Sequence, residues 1–296
     1  MHDVKVARPS KVLFPENGIT KGDLIAYYER ISDRMLPYLA DRPLVLQRFP
    51  DGIGRPGFIQ KTASPYYPGW IRKVTVKKVG GTVKHVVCDD AATLAYLANQ
   101  ACIAMHPWLC CTGNLQCPDQ MAIDLDPSRP DDIAGVVSGA LDLKKELDEL
   151  GLPAYVKSTG SRGVHVVVPL DGKRDFEFVR AFARRLAMCL VNRDATRYTI
   201  ERHKAKRRGR LFLDIDRNAY AQTAVATYSV RARPGAPVAI PLHWNELWQS
   251  SFRPDAVTIR NIFKRLDRID DPWKRFWRDA ASLDAANRTL ESLQGE

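Results

Sequence analysis

The sequence has no long apolar segment and little cysteine, and each absence excludes a class of protein. Across 296 residues, no window approaches the ~18 uninterrupted apolar residues that a bilayer span requires, and residues 1–11 are too charged for a signal peptide. Six cysteines are too few for a disulfide scaffold in so long a chain. We therefore expect a soluble, cytoplasmic protein with reduced thiols and no membrane partner.

Internal repeats, Walker motifs and CxxC pairs are also missing, which excludes solenoids, propellers and P-loop enzymes. His106, Cys110, Cys111 and Cys117 lie within twelve residues and could form a zinc cluster. Their spacing does not match the usual zinc motifs, and small buried thiols are the simpler interpretation. The sequence therefore does not decide whether any cysteine binds zinc.

Positive charge is what the chain has in excess. The 45 Lys and Arg residues outnumber the 34 Asp and Glu residues, so the formal net charge is +11, which favours phosphate-bearing partners. The densest stretch is a basic block at residues 202–210, with six Lys or Arg in nine residues. It runs directly into the apolar residues 211–213, so we expect the block to be anchored beside a core strand.

The pattern of apolar residues predicts an α+β fold with mixed central β-sheets flanked by helices. Helices are expected at residues 24–39 (with Thr20 as N-cap), 89–105, 131–150, 176–190 and 259–281. Strands are expected at residues 45–49, 74–76, 83–87, 121–125, 154–157, 164–168, 211–215 and 227–230. Since no flexible linker interrupts the chain, we expect one domain over residues 1–296. It would comprise an N-terminal α/β module to about 118, a catalytic module at about 119–235 and a helical segment at about 236–296.

Acidic residues lie at the ends of two of the predicted strands. Asp124 and Asp126 are two residues apart, so they share one face of a strand, and Asp214 ends another apolar strand. Three carboxylates from two strand ends suit two-metal phosphoryl transfer. The alternative is that one aspartate faces solvent while Asp126 begins an Asp-Pro turn. Asp216 could face the metals or cap the turn that follows it.

A polar turn between two predicted strands offers an anion site. Residues 157–165 combine hydroxyls, two glycines and two cations, whose side chains and backbone N–H groups could hold a triphosphate. A hairpin turn whose glycines supply positive φ angles is the structural alternative. His165 on the following strand and Arg207 in the basic block favour the anion site.

These motifs, in this order and spacing, resemble those of one known family. Asp-Leu-Asp-Pro at 124–127, Ser-Thr-Gly-Ser-Arg-Gly-Val-His at 158–165, Asp214 and Tyr-Ser-Val-Arg-Ala-Arg-Pro at 228–234 are similar to the polymerase domain of bacterial ligase D. That domain belongs to the archaeo-eukaryotic primase superfamily. Because no ligase or nuclease motif follows, we expect a stand-alone primase-polymerase, with the primase-polymerase fold and an RRM-like catalytic module.

The resemblance implies roles for the matching positions. The metal ligands would be Asp124, Asp126 and Asp214, and His106 would lie near the primer terminus and take part in catalysis. The nucleotide would be bound by Ser158, Thr159, Arg162, His165, Arg207, Arg231 and Arg233. DNA would be bound by Lys11 and Lys21, at a 5′-phosphate, and by Phe58, which would stack on a template base. Thr159 stands where the family usually has Ser, and Arg162 where it often has Lys.

The implied function is a DNA-directed nucleotidyltransferase in gap filling and non-homologous end joining. It would extend a primer 3′-OH with NTP or dNTP, using two Mn²⁺ or Mg²⁺ ions, on gapped or broken duplex DNA with a 5′-phosphate. The resemblance further implies a nucleoid-associated monomer that works with a DNA ligase and Ku. One alternative is a non-catalytic module that binds 5′-phosphate DNA ends, and another is a DxD glycosyltransferase. Primer-independent initiation and the preference between ribose and deoxyribose are left open.

Overall fold

The computed structural model describes residue 2 and residues 4–294. The strands are β1 (Val12–Phe14), β2 (Ile19–Thr20), β3 (Leu44–Arg48), β4 (Phe58–Gln60), β5 (Lys73–Lys78), β6 (Gly81–Val86), β7 (Cys102–Pro107), β8 (Gln120–Asp126), β9 (Tyr155–Ser158), β10 (Val164–Pro169), β11 (Tyr198–Thr199), β12 (Leu211–Asp214) and β13 (Pro241–Leu242). The helices are α1 (Lys21–Met35), α2 (Ala91–Asn99), α3 (Ile133–Glu149), α4 (Phe176–Arg193), α5 (Ile262–Leu266) and α6 (Asp284–Gln294). The expected α+β class is confirmed.

The chain forms two compact units, each assembled from three separate segments. The first unit comprises Met1–Gly113, Thr223–Ile240 and Val257–Arg268. The second comprises Asn114–Gln222, Pro241–Ala256 and Ile269–Glu296. The expected single domain, with module boundaries near 118 and 235, stays a prediction.

The first unit is built on a sheet with the strand order β4-β3-β6-β5, in which β7 also pairs with β3. Helix α1 packs against α2, and its apolar side is fully buried. Thr20 begins α1 as expected: its hydroxyl accepts the N–H of Asp23, whose carboxylate in turn accepts the N–H of Thr20.

The second unit is built on a six-stranded sheet with the order β11-β12-β8-β10-β9-β13. All neighbours are antiparallel except the parallel pair β11 and β12. Alternation along β8 gives the sheet two different faces. Leu125 and Leu211 meet α3 at Gly139, where a Cβ would come within 2.3 Å of the Leu211 side chain. Asp124 and Asp126 therefore point to the opposite face.

Three predictions of secondary structure were wrong. The helix predicted over residues 89–105 ends at Asn99, and Ala101, at φ +56°, turns the chain into β7. A short apolar run suits a buried strand as well as a buried helix, so its pattern alone could not separate the two. Residues 227–230 form a bend with one isolated bridge, from Val230 to Val238, and Tyr228 has φ +67°. Within residues 259–281 only α5 is helical, and the rest is turns.

The six cysteines, all within the described residues, are not joined by disulfide bonds. Among the helices of the described residues, none is both long and apolar enough to cross a bilayer.

Candidate active site

Acidic and basic side chains form one row across the sheet of the second unit. Asp124 on β8 lies directly opposite Asp214 on β12 and opposite His165 on β10. His165 in turn lies opposite Lys157 on β9. Residues directly opposite in antiparallel strands share a face, with Cβ atoms about 4.5–5.5 Å apart. The row therefore lies on the face that α3 leaves uncovered, and Asp126 extends it by one pleat along β8.

The charges around Asp126 shift the pKa of its carboxyl group. Burial, followed by the charge of Asp124, raises its pKa from 3.8 to about 6. Asp214 adds to this rise, whereas Arg162 and Arg207 oppose it. Three carboxylates and two guanidinium groups thus act on one another at the strand ends, as the sequence predicts. Their catalytic and binding roles stay predictions.

His165 is a fully buried imidazole between two charged neighbours. Burial lowers its pKa, while Asp124, whose Oδ2 lies 3.4 Å from Nε2, opposes that shift. The ring is therefore neutral at pH 7. Within the part of the chain that the structure describes, its buried Nδ1 has no hydrogen-bond partner. A buried polar atom without a partner is costly, so Nδ1 is suited to a ligand.

The loop between β9 and β10 lies tightly against the carboxylate strand. The backbone N–H and the hydroxyl of Thr159 both donate to the carbonyl of Gly163, at 3.1 and 2.9 Å. Gly160 has φ +61°, and a Cβ on Gly163 would come within 2.1 Å of the carbonyl oxygen of Leu125. The glycines are therefore required by the turn itself, and the Thr159 hydroxyl holds that turn closed. Ser158, at the end of β9, is buried.

Arg207 is fixed at the opposite edge of the row. Its guanidinium lies 3.8 Å from the centre of the Phe212 ring and donates to the carbonyls of Glu201 and Arg202, each at 3.0 Å. Phe212 lies directly opposite Asp126 in the sheet. The basic block is thus anchored beside a core strand, as expected.

The donors at the row suit a divalent cation, although the third carboxylate is already engaged. Asp214 accepts the N–H of Asp216 at Oδ1 (2.9 Å) and the guanidinium of Arg217 at Oδ2 (2.8 and 3.1 Å). Within residues 4–294, no three His, Cys, Asp or Glu side chains lie close enough together to hold a metal ion as they stand. Oxygen donors and clustered negative charge nevertheless match what Mg²⁺ and Mn²⁺ prefer.

Asp216 neither faces the carboxylate row nor caps its turn. Its carboxylate accepts hydrogen bonds from Arg180 and Arg202, both at 2.6 Å. Although burial opposes ionisation, these two arginines hold the pKa of Asp216 below its ordinary value. Asp216 therefore ties the basic block to α4.

Sequence reasoning missed Arg217, and it gave Lys157 only as one of the two cations of the turn at residues 157–165. Lys157 is almost fully buried at the end of the row, and its charge acts on His165. The strand alternation that places Asp124 and Asp126 on one face could have pointed to Lys157, given the pairing of β9 with β10. The sequence carries no comparable signal for Arg217, because its contact depends on the turn that follows β12.

In the first unit, Lys11 and Lys21 lie together. The N–H of Lys21 donates to the Lys11 carbonyl at 2.8 Å, and the Lys11 ammonium contacts Asp51 at 2.7 Å. Burial, followed by the charges of Lys11 and Arg8, lowers the pKa of Lys21. Mutually repelling cations at the start of a helix suit an anion, and Arg8 is a member that the sequence did not suggest.

The remaining predicted residues also lie in the first unit. Phe58 on β4 is 46% exposed, and the Arg48 guanidinium lies 5.3 Å from its ring centre. His106 on β7 pairs with Val45 of β3. Arg231 and Arg233 are in the segment 223–240, where the N–H of Arg231 donates to the Pro237 carbonyl at 2.8 Å.

The chain is similar to known proteins over most of its length. Residues 20–273 match the family model of the LigD primase-polymerase domain. A bifunctional non-homologous end joining protein LigD from Bacillus subtilis is 33% identical over 271 residues, which is 91% of this chain. A multifunctional non-homologous end joining protein LigD from Pseudomonas aeruginosa is 31% identical over 287 residues, which is 96% of this chain. The chain spans 43% of the Bacillus protein and 34% of the Pseudomonas protein.

A solved structure supports the same relationship. The polymerase domain of Mycobacterium tuberculosis ligase D, determined in complex with DNA, matches with a TM-score of 0.87 and 28% sequence identity. The match covers 94% of this chain and 99% of that one. It confirms the expected primase-polymerase fold.

Proposed function

The chain belongs to the LigD primase-polymerase domain family, and from that membership we propose that it is a DNA-directed nucleotidyltransferase. It extends a primer 3′-OH with a nucleoside triphosphate on gapped or broken duplex DNA. The observation that carries this proposal is the row formed by Asp214, Asp124 and His165, with Asp126 beside it. A module that only binds DNA ends has no use for three converging carboxylates, because they repel phosphate.

The carboxylates are suited to hold divalent ions. Asp124 and Asp126 supply oxygen donors from one strand, and Asp214 supplies them from its neighbour. The unfavourable ionisation of Asp126 is relieved when a cation arrives. When bound, two Mn²⁺ or Mg²⁺ ions would supply the charge that activates the attacking oxygen and stabilises the leaving phosphates. The number of bound ions and their identity are likewise proposed.

The basic residues around the row are suited to bind the triphosphate. Arg162 and Arg207 place guanidinium groups within electrostatic reach of Asp126. His165 offers a buried Nδ1, and the loop from Ser158 to Gly163 offers backbone N–H groups. Arg231 and Arg233 belong to the proposed nucleotide site on the strength of the family resemblance alone, as does the catalytic role of His106.

In the first unit, Lys11 and Lys21 are proposed to bind the 5′-phosphate at the far side of a gap. Their mutual repulsion favours an anion between them. Phe58 exposes an aromatic face on which a template base can stack. We propose further that the protein is a monomer and acts in non-homologous end joining at the nucleoid, together with a DNA ligase and Ku.

The test is extension of a labelled primer on a gapped duplex with a 5′-phosphate. The purified protein is incubated with this DNA, Mn²⁺ and each NTP or dNTP in turn. We expect incorporation by the wild-type protein and none by Asp124→Ala. DNA binding in gel shifts should be kept or slightly tightened in the variant, because removing negative charge cannot weaken phosphate contacts elsewhere.

Asp148→Ala is the matched control, since it removes an exposed aspartate of α3 that pairs only with Lys144 in the same helix turn among the described residues. It should extend the primer like the wild-type protein. Near-normal incorporation by Asp124→Ala would refute the metal assignment. DNA binding by the wild-type protein without any incorporation would instead favour the end-binding alternative.

A further inference from the structure

An arginine contacts the third carboxylate of the proposed metal site. Arg217 lies on the turn that directly follows β12, three residues after Asp214. Its Nη2 and Nε donate to the same oxygen of Asp214, Oδ2, at 2.8 and 3.1 Å. The other oxygen, Oδ1, accepts the backbone N–H of Asp216 at 2.9 Å. Each oxygen of this buried carboxylate thus accepts hydrogen bonds from the turn after β12, and Oδ1, with one donor, keeps a lone pair for a cation.

The charge of Arg217 responds to the whole carboxylate group. Burial works against the guanidinium charge, but Asp214, Asp124 and Asp126 together outweigh it and raise the pKa of Arg217. This side chain therefore balances part of the negative charge that makes Asp126 hard to ionise. Other cations lie near this group: Arg162 and Arg207 act on Asp126, and Lys157 acts on His165.

The neighbouring acid shows that Arg217 is dedicated to this group. Asp216 is held by Arg180 and Arg202, with contacts of 2.6 and 2.5 Å. Two adjacent acid–base clusters are thus kept separate within three residues of chain. Because Asp216 has its own cations, Arg217 is left to Asp214.

We propose that Arg217 is a resident counter-ion of the metal site, which holds Asp214 in place and weakens the attraction of its carboxylate for a divalent ion. Arg217 is therefore a positioning residue that sets the affinity of the site for the ion. The guanidinium and the ion would both be cations beside one carboxylate, so they would repel each other and the charge of Arg217 would weaken binding of the ion. This inference rests on the proposed polymerase function.

The test measures Mn²⁺ binding directly, by calorimetry and by the electron paramagnetic resonance signal of free Mn²⁺. The wild-type protein is compared with Arg217→Gln, and Arg180→Gln makes the same change in the neighbouring cluster. We expect Arg217→Gln to bind Mn²⁺ about tenfold or more tightly, since the ion no longer meets a second positive charge beside Asp214. Its melting temperature in EDTA should fall, whereas Mn²⁺ should raise it by more than it raises that of the wild type. Arg180→Gln should keep wild-type Mn²⁺ affinity.

Arg217→Lys keeps the positive charge but loses the pair of hydrogen bonds to Asp214. It should bind Mn²⁺ about threefold more tightly than the wild type, which is a smaller gain than that of Arg217→Gln. It also provides a folded variant if Arg217→Gln is unstable. The Mn²⁺ concentration that gives half-maximal primer extension should fall in the same order. Wild-type or weaker Mn²⁺ affinity in either folded variant would overturn the inference.

Asp126→Asn separates failure of this inference from failure of the proposed function. If the wild-type protein binds no Mn²⁺, or Asp126→Asn binds it equally well, the proposed metal site is wrong. If Asp126→Asn loses binding but Arg217→Gln binds like the wild-type protein, only the counter-ion role is wrong.

Discussion

Replacing Asp126 with Asn should stabilise the metal-free protein. The rise of its pKa from 3.8 to about 6 means that keeping this carboxylate ionised in the folded state costs at most about 3 kcal/mol, at 1.36 kcal/mol per tenfold change in ionisation. Asparagine has nearly the same shape and carries no charge. We therefore expect Asp126→Asn to raise the free energy of unfolding by roughly 1–3 kcal/mol at pH 7.5 in EDTA, and the melting temperature by about 2–6 °C.

The effect should depend on pH with a definite sign. In the unfolded chain an aspartate is ionised above about pH 4, whereas folded Asp126 holds its proton up to a pKa of about 6. Between these values the folded state binds more protons than the unfolded state, so wild-type stability falls as the pH rises. The advantage of Asp126→Asn should thus be small near pH 4, grow up to about pH 6 and stay constant above it.

Urea denaturation followed by circular dichroism, from pH 4 to 8 in EDTA, measures this difference. Asp216→Asn is the control with the opposite sign, because Arg202 and Arg180 lower the pKa of Asp216 and the ionised form is favoured there. Adding Mn²⁺ should reverse the order of the wild-type protein and Asp126→Asn. If Asp126→Asn were less stable than the wild type at pH 7.5 in EDTA, the carboxylates would not repel one another as the structure indicates.

Two further substitutions test the nucleotide loop and the phosphate pocket. Gly163→Ala should lose about 1–3 kcal/mol of stability and bind the triphosphate more weakly, because its Cβ would meet the Leu125 carbonyl oxygen at 2.1 Å. Thermal melts and nucleotide titrations compare it with the control Gly69→Ala, whose Cβ would meet nothing within 4 Å. Equal stability of the two variants would contradict the reasoning. Lys21→Ala should reduce the preference for a 5′-phosphate over a 5′-hydroxyl at a gap about tenfold or more, since a charge-assisted phosphate contact is typically ~1.5–3 kcal/mol. Gel-shift titrations of both DNAs check this against Lys145→Ala on the exposed side of α3, and an unchanged ratio for Lys21→Ala would reject the pocket.

The sequence was sufficient wherever strand periodicity or a local cap decides the structure. Asp124 and Asp126 share a face because strand residues alternate, and Thr20 caps α1 through contacts within three residues. The family resemblance supplied the fold, which the structural match confirms. The roles of the individual site residues stay predictions.

The remaining features depend on backbone conformations and pairings that leave no periodic pattern. The change from α2 to β7 takes place at Ala101, a non-glycine residue at φ +56°, which sequence rules do not anticipate. Lys157 joins the carboxylate row only through the register of β9 against β10. Arg217 reaches Asp214 because the chain tightens into a 3₁₀ turn after β12. In all three cases the structure depends on a local backbone conformation or on strand pairing, and the order of apolar and polar residues shows neither.

The interleaving of the two units has a consequence for synthesis on the ribosome. The strand that leads into the nucleotide loop, β9, is completed by residues made much later: Trp273 donates its ring N–H to the Val156 carbonyl at 3.1 Å, and the Tyr155 hydroxyl donates to Asp279 at 2.7 Å. The first unit likewise needs its segment Val257–Arg268. A nascent chain that stops before these residues lacks part of both units, so neither can close as a cooperative whole. Truncated products should therefore be cleared by proteases as unfolded chains rather than persist as partly folded units.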